Sequence, residues 1–65
     1  MHNRRWAIYN SEGTQIILKM RNADTGEIED LEFYANEEVA HVALDMMDLH
    51  ERINLGAHVR EVAQS

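Results

Sequence analysis

Two short polar turns, each ending in glycine, constrain the fold of this chain more than any other feature. They lie at residues 10–13 and 23–26, and each places a glycine where a chain leaving a type I turn requires a positive φ angle. Between and beside the turns, apolar and polar residues alternate over residues 4–10, 15–21 and 27–34. This alternation has a period of two residues, which is typical of a half-buried strand. The sequence therefore predicts an antiparallel meander of three strands.

The strand register follows from keeping apolar residues on one face of this meander. Pairing across the first turn sets Ile8 opposite Ile16 and Trp6 opposite Leu18. Across the second turn two registers compete, and we prefer the one that sets Leu18 opposite Leu31, because the slipped one sets a glutamate opposite Leu18. The preferred register also pairs Lys19 with Asp30 and Ile16 with Phe33. The predicted core face carries Trp6, Ile8, Ile16, Leu18, Leu31 and Phe33. The opposite, open face carries Tyr9, Ile17, Ile28 and Tyr34.

One helix is predicted to follow the meander, over residues 37–54. Asn36 is a suitable N-cap, and Glu37 and Glu38 complement the positive end of the helix dipole. Gly56 suits a left-handed C-terminal cap before a short final strand over 57–63. At 100° per residue, one predicted apolar arc faces the core. This arc contains Val39, Val42, Ala43, Met46, Leu49, His50 and Ile53, with Leu44 and Met47 outside it.

These elements predict a single small α+β domain over residues 1–65, in the order β-β-β-α-β. A right-handed crossover through the helix places the last strand parallel to the first. The expected sheet order is 3-2-1-4, with the helix packed on one face. The uncovered face and the two residues outside the helical arc then offer a patch for a partner or a second subunit. Its members are Tyr9, Ile17, Ile28, Leu44 and Met47.

Charge is strongly segregated along the chain. Ten of the twelve carboxylates lie in the stretch from Asn22 to Glu51, which contains no Lys or Arg. This stretch therefore has a charge of −10, and the rest of the chain has a charge of +4. Such a chain attracts basic surfaces. The net charge of −6 argues against direct binding of nucleic acid or of an anionic membrane, since phosphate contacts require clustered Lys and Arg.

Size and composition argue against catalysis. A chain of 65 residues buries only about 60% of its unfolded surface, which leaves little room for a deep active site. Cysteine is absent, so we expect no disulfide and no thiolate zinc site, and a reducing cytoplasm fits best. No apolar run approaches the roughly 18 residues of a membrane span. We predict a non-enzymatic protein without a cofactor.

A metal site is the alternative to this view. His41, Asp45 and Asp48 have i, i+4 and i+7 spacing and would share one face of the predicted helix. No further ligand accompanies them, such trios arise readily on an acidic helix, and Asp48 is also placed to pair with Arg52. We therefore predict no metal site, with metal binding by this trio left as the alternative.

Several local features resemble a class of small phage proteins. These are the Trp6-Ala7 opening strand, the Tyr34-Ala35 step before the acidic helix start, and the return strand from Gly56 to Val59. Together with the order of elements they resemble phage inhibitors of host RNA polymerase, and the size and acidity are similar to those of anti-CRISPR proteins. The resemblance implies a stoichiometric inhibitor in the host cytoplasm that docks on a basic region of a large nucleic-acid-handling complex.

The predicted function is thus an acidic protein-interaction module, with a small homodimeric structural or regulatory domain as the alternative. Either the outer face of the helix or the open face of the third strand is the expected binding surface, because the two face different directions. The predicted partner-binding residues are Glu29, Asp30, Glu32, Tyr34, Glu37, Glu38, His41, Asp45 and Asp48.

Overall fold

The computed structural model describes residues 4–62, which form an α+β fold of five strands and two helices. The elements are β1 (Arg5–Tyr9), β2 (Gln15–Ile16), β3 (Leu18–Arg21), β4 (Ile28–Leu31), α1 (Glu37–Asp45), α2 (Leu49–Leu55) and β5 (His58–Val62). Over the described residues the strands form one sheet in the order β2-β1-β5 and a separate β3-β4 hairpin, all antiparallel. The α+β class is confirmed, and the predicted end of the last strand at Ala63 lies outside the described residues.

Both predicted turns are present, and each is closed by an asparagine side chain. Asn10 Oδ1 accepts hydrogen bonds from the backbone N–H groups of Glu12 and Thr14, both at 2.9 Å. Asn22 Oδ1 accepts one from the Asp24 N–H at 2.8 Å. These are local bonds between residues two to four positions apart, which is why the sequence predicts the turns correctly.

The predicted register is confirmed on both sides of a break at Ile17. Ile8 pairs with Ile16 in β1–β2, and Leu18 pairs with Leu31 in β3–β4. The predicted second strand does not continue through Ile17, however, and its two halves join different sheets. The β3-β4 hairpin thereby leaves the main sheet.

The predicted pairing of Trp6 with Leu18 is wrong because Tyr34 takes that place. Two backbone hydrogen bonds of 3.0 and 2.8 Å join Trp6 and Tyr34. Since β4 ends at Leu31, the alternation of the strand does not extend to residues 33 and 34. Phe33, predicted in the core opposite Ile16, is 37% exposed, whereas Tyr34, predicted on the open face, is 5% exposed.

The predicted single helix is interrupted after Asp45. Met46 caps α1, and the Asp48 carboxylate begins α2 by accepting the Glu51 N–H at 3.2 Å. An aspartate that bonds a backbone N–H three residues ahead favours a helix start over a helix interior. The predicted caps at the two outer ends are both confirmed: Asn36 accepts the Val39 N–H at 2.8 Å, and Gly56 has φ +66°.

The predicted neighbours of the first strand are confirmed, but the single four-stranded sheet in the order 3-2-1-4 is not formed, and the predicted direction of the last strand is wrong. β5 pairs with β1 in antiparallel fashion, with Ile8 opposite Val59, so the last strand is not parallel to the first. The segment that leads into α1 already runs antiparallel to β1 at the Trp6–Tyr34 bridge, so a crossover that returns parallel to this segment makes β5 antiparallel to β1. β1 is therefore central, with β2 and β5 on either side.

The core lies where α1 packs on β1 and β5. Ala40 and Ala43 of α1 are buried against Ile8 and Tyr34. Trp6, Ile16, Leu18, Leu31, Leu44, Ala57 and Val59 pack around them. The helix is therefore rotated from its predicted orientation: Ala43 faces the core as predicted, but Ala40 and Leu44 accompany it instead of the larger residues of the predicted arc.

Several side chains predicted to face the core from the helix are exposed as a result. Val39, Val42 and Met46 are 48%, 55% and 65% exposed, and Leu49 and Ile53 of α2 are 54% and 67% exposed. His50 is exposed as well. Within residues 4–62, no helix is both long and apolar enough to cross a membrane.

Candidate protein-interaction surface

The acidic stretch lies at the surface of the folded chain. All ten of its carboxylate residues are exposed. Over residues 4–62, only two of them lie within ion-pair distance of a basic side chain: Glu37 is 3.4 Å from His41 Nε2, and Asp45 is 3.1 Å from Arg52. Most of the negative charge in this stretch is therefore not neutralised within the described part of the chain.

The hairpin carboxylates divide between two faces. Asp30 is the cross-strand partner of Lys19, and Glu29 is the partner of Met20. Because successive residues of a strand point to opposite faces, Glu29 lies on the same face as Leu31, and Asp30 lies on the other. The Glu29 carboxylate accepts a hydrogen bond of 3.0 Å from the Asn22 side-chain amide.

The helical acidic residues do not share a single face. Glu37, Glu38, His41 and Asp45 belong to α1, whereas Asp48 lies beyond its end as the N-cap of α2. The arrangement of His41, Asp45 and Asp48 on one continuous helix is therefore wrong, and Arg52 bonds Asp45 instead of its predicted partner Asp48. Among the described residues, no three acidic or histidine side chains converge in a way that would hold a metal ion.

Tyr34 differs from the other predicted partner-binding residues in being buried. Its phenol oxygen has no hydrogen-bond partner among the described residues. Burial also raises the pKa of the Tyr34 phenol above its ordinary value of 10.0. Its side chain belongs to the core and lines the base of a neighbouring groove.

The predicted second-subunit patch is only partly exposed. Ile17 and Ile28 are 47% and 63% exposed. Tyr9 is half-buried, with the Arg60 guanidinium 5.3 Å from the centre of its ring. Leu44 packs against the core, and Met47 is half-buried beside a small cavity of about 140 Å³.

The structure contains an apolar groove that the sequence analysis missed. It lies between α1 and the β3-β4 hairpin and has a volume of about 280 Å³. Its lining consists of apolar and aromatic residues: Met20, Leu31, Phe33, Tyr34, Ala35, Val39, Val42, Ala43 and Met46. We refer to this feature as the apolar groove.

One signal in the sequence does indicate the helical wall of this groove. At 100° per residue, the apolar residues of α1 and its C-cap span about 200°, about twice the width that a core-facing stripe requires. In order around the helix they are Val42, Met46, Val39, Ala43, Ala40 and Leu44. A helix with so wide an apolar arc has more apolar surface than one sheet covers. The half of this arc that contains Ala40 packs in the core, and the half that contains Val42 faces the groove.

Comparison with protein-family models, with curated proteins and with solved structures finds no match to this chain. The function is therefore inferred from the charge, exposure and geometry of its own residues.

Proposed function

We propose that this protein is a non-enzymatic interaction module that acts as a stoichiometric inhibitor. It docks on a basic, nucleic-acid-binding surface of a larger complex, in the manner of phage-encoded inhibitors of CRISPR complexes or of host RNA polymerase, and it works in the host cytoplasm. The supporting observation is that all ten carboxylates of the acidic stretch are exposed, and that ion pairs within residues 4–62 involve only two of them.

The physical basis of the proposal is electrostatic. Carboxylates on folded elements are held at defined positions, so a basic groove that normally holds phosphates gains steering and counterion release from them without ordering a flexible chain. Such complementarity sets the association rate and partner choice more than it sets the final affinity. Binding of this kind weakens steeply as salt rises.

Two acidic faces compete for the role of contact surface. The first is the open face of the hairpin with Asp30, together with Glu32 in the segment directly after β4. The second is the outer side of α1, with Glu38 and Asp45. Since the faces belong to different elements, neutralising them separately identifies the one that touches the partner.

The test begins with a pull-down from the host cell, with the captured partner identified by mass spectrometry and then purified. Three double variants are compared in a competition assay against the partner's nucleic acid: D30N/E32Q, E38Q/D45N and the control E12Q/E61Q. Each removes two negative charges, and the control removes them outside the acidic stretch.

One of the first two variants is expected to weaken binding by at least about tenfold, with the control within about twofold. Wild-type affinity is expected to fall steeply between low and physiological salt. Equal effects of all three variants, or indifference to salt, would contradict the proposal.

A homodimeric structural or regulatory role is the second candidate, and the exposure of Ile17 and Ile28 favours it. Large apolar side chains exposed on a small domain are frequent at subunit contacts. Under this alternative, light scattering gives twice the chain mass of 7.6 kDa, and I17E or I28E restores the monomer mass. A monomer at all concentrations excludes it.

A further inference from the structure

The apolar groove begins with a face of α1 that the fold leaves uncovered. Val39 and Val42 of α1 and the C-cap residue Met46 have i, i+3 and i+7 spacing, so they form a strip along one side of the helix that reaches its C-terminal cap. Over seven residues at 1.5 Å each, the strip is about 10 Å long, or about two helical turns. All three side chains are about half or more exposed.

The hairpin supplies the opposite wall. Met20 and Leu31 lie on its inner face, and Phe33 follows where the chain leaves β4. Since the hairpin is separate from the main sheet and α1 packs on β1 and β5, the two walls stand apart instead of closing on each other. The result is an open, apolar trough.

Carboxylates flank this trough on both walls. Glu38 and Asp45 lie beside Val42 on α1, at the i−4 and i+3 positions. On the hairpin, Glu29 lies on the groove side, opposite Met20. Asp45 is already paired with Arg52, whereas Glu38 makes no ion pair with any described residue. The apolar strip thus has carboxylates along both walls, and its lining contains no basic residue, although the Arg5 guanidinium lies 4.7 Å from the centre of the Phe33 ring.

From this combination we infer that the apolar groove binds a short amphipathic helix of the partner, with apolar residues on one face and Lys or Arg flanking them. A helix of two turns matches the length of the strip, and apolar anchors at i, i+3, i+4 and i+7 are the pattern that enters such grooves. The basic flanks would meet the carboxylate border. This inference rests on the proposed function and names the partner chemistry at the α1 side.

Charge argues against a second copy of this chain as the occupant. Each copy carries a net charge of −6, and the groove border is itself acidic, so two copies meeting at this face would bring like charges together. A basic amphipathic segment instead neutralises the border while it covers the apolar floor.

The test uses a synthetic peptide of about 14 residues, with leucines at the i, i+3, i+4 and i+7 positions and lysines on both flanks. A scrambled peptide of identical composition keeps the charge and removes the apolar face. Calorimetric titration of each peptide into the 65-residue protein measures binding. The designed peptide is expected to bind at least about tenfold more tightly than the scrambled one.

Two matched variants locate the binding site. V42T/M46Q replaces groove residues by polar residues of similar shape and leaves every charge in place. L49Q/I53T makes a comparable change at exposed apolar residues of α2 that do not line the groove. The first is expected to lose at least about tenfold in affinity for the designed peptide, and the second less than about twofold.

The outcomes separate this inference from the proposed function. If V42T/M46Q binds the designed peptide as tightly as wild type does, or if the designed and scrambled peptides bind with equal affinity, the groove is not the binding site. The proposed function would then still be supported if the charge variants weaken binding to the partner. If the groove variant loses the peptide while charge neutralisation leaves partner capture intact, the groove inference stands and the electrostatic proposal fails. A dimer in light scattering that V42T/M46Q dissociates would make a second copy the occupant and overturn the inference.

Discussion

Gly56 is the residue at which the structure predicts the sharpest effect of a single added methyl group. It caps α2 with φ +66°, and a Cβ placed on it would lie 2.8 Å from Ser11 Cβ. The Ser11 N–H donates to the Leu55 carbonyl at 2.8 Å, so the first turn and the end of α2 are held together at this point. Gly56→Ala therefore strains both the backbone and this contact.

The expected loss has two parts. A left-handed conformation costs a non-glycine residue about 1–2 kcal/mol, and overpacking a tight contact costs about 1–3 kcal/mol more. The total of about 2–5 kcal/mol is a large share of the stability expected for a domain of this size, roughly 3–10 kcal/mol. Gly26→Ala is the matched control, because Gly26 has φ +75° but no atom of the described residues lies within 4 Å of an added Cβ. The Gly26→Ala variant should therefore lose only the roughly 1–2 kcal/mol that the left-handed backbone conformation costs.

Urea unfolding followed by the fluorescence of Trp6, the single tryptophan, measures both losses. With a slope of about 1 kcal/mol per molar urea, the midpoint of Gly56→Ala should lie at least about 1 M below that of Gly26→Ala. In the double variant S11G/G56A the opposing Cβ is absent, so the contact part should be recovered relative to S11G alone. Equal midpoints for the two alanine variants, or no recovery in the double variant, would refute the contact between the first turn and α2.

Three further predictions concern the core and the helix ends. Tyr34→Phe should leave the free energy of unfolding unchanged or raise it by about 1 kcal/mol, because the buried phenol oxygen has no hydrogen-bond partner among residues 4–62. A loss of that size in thermal unfolding would show that the hydroxyl is bonded. Burial raises the pKa of the Tyr34 phenol, so with rising pH the unfolded chain releases this proton before the folded chain does. The contribution of this group to the free energy of unfolding should therefore be fully present below pH 10 and should be lost as the pH rises through the folded-state pKa. Unfolding measured across that range should show a smaller alkaline loss in Tyr34→Phe, and equal losses would count against the assignment. Asn36→Ala should lower the free energy of unfolding by about 1 kcal/mol because it removes the N-cap of α1, whereas Asn36→Asp should retain most of the capping contribution. Circular dichroism during thermal unfolding compares the two variants, and equal losses of stability would exclude the capping bond.

The acidic surface and the apolar groove meet on α1. Glu38 and Asp45 belong to the first, Val39 and Val42 to the second, and the same nine-residue helix carries both. Buried apolar anchors generally carry most of the energy of an interface, whereas charges at its border govern approach and partner choice. We therefore expect groove substitutions to raise the dissociation rate and border substitutions to lower the association rate.

The features that the sequence predicted correctly all depend on residues close together in the chain. Asn10 and Asn22 close turns through bonds to residues within four positions, Asn36 and Gly56 cap helix ends, and the register of Leu18 with Leu31 follows from a short hairpin. The acidic stretch is also a property of the chain alone. Local hydrogen-bond geometry and charge count do not depend on how the elements are assembled.

The features that the sequence left wrong or unseen depend on contacts between distant elements. α1 presented an apolar arc wide enough to pack in more than one orientation, and close packing of Ala40 and Ala43 on the sheet selected one of them. Tyr34 pairs with β1 at the position expected for Leu18. As a consequence Phe33 is exposed, and the β3-β4 hairpin is separate from the main sheet. The apolar groove exists only because of these long-range choices, since periodicity shows which residues share a face but not which face another element will cover.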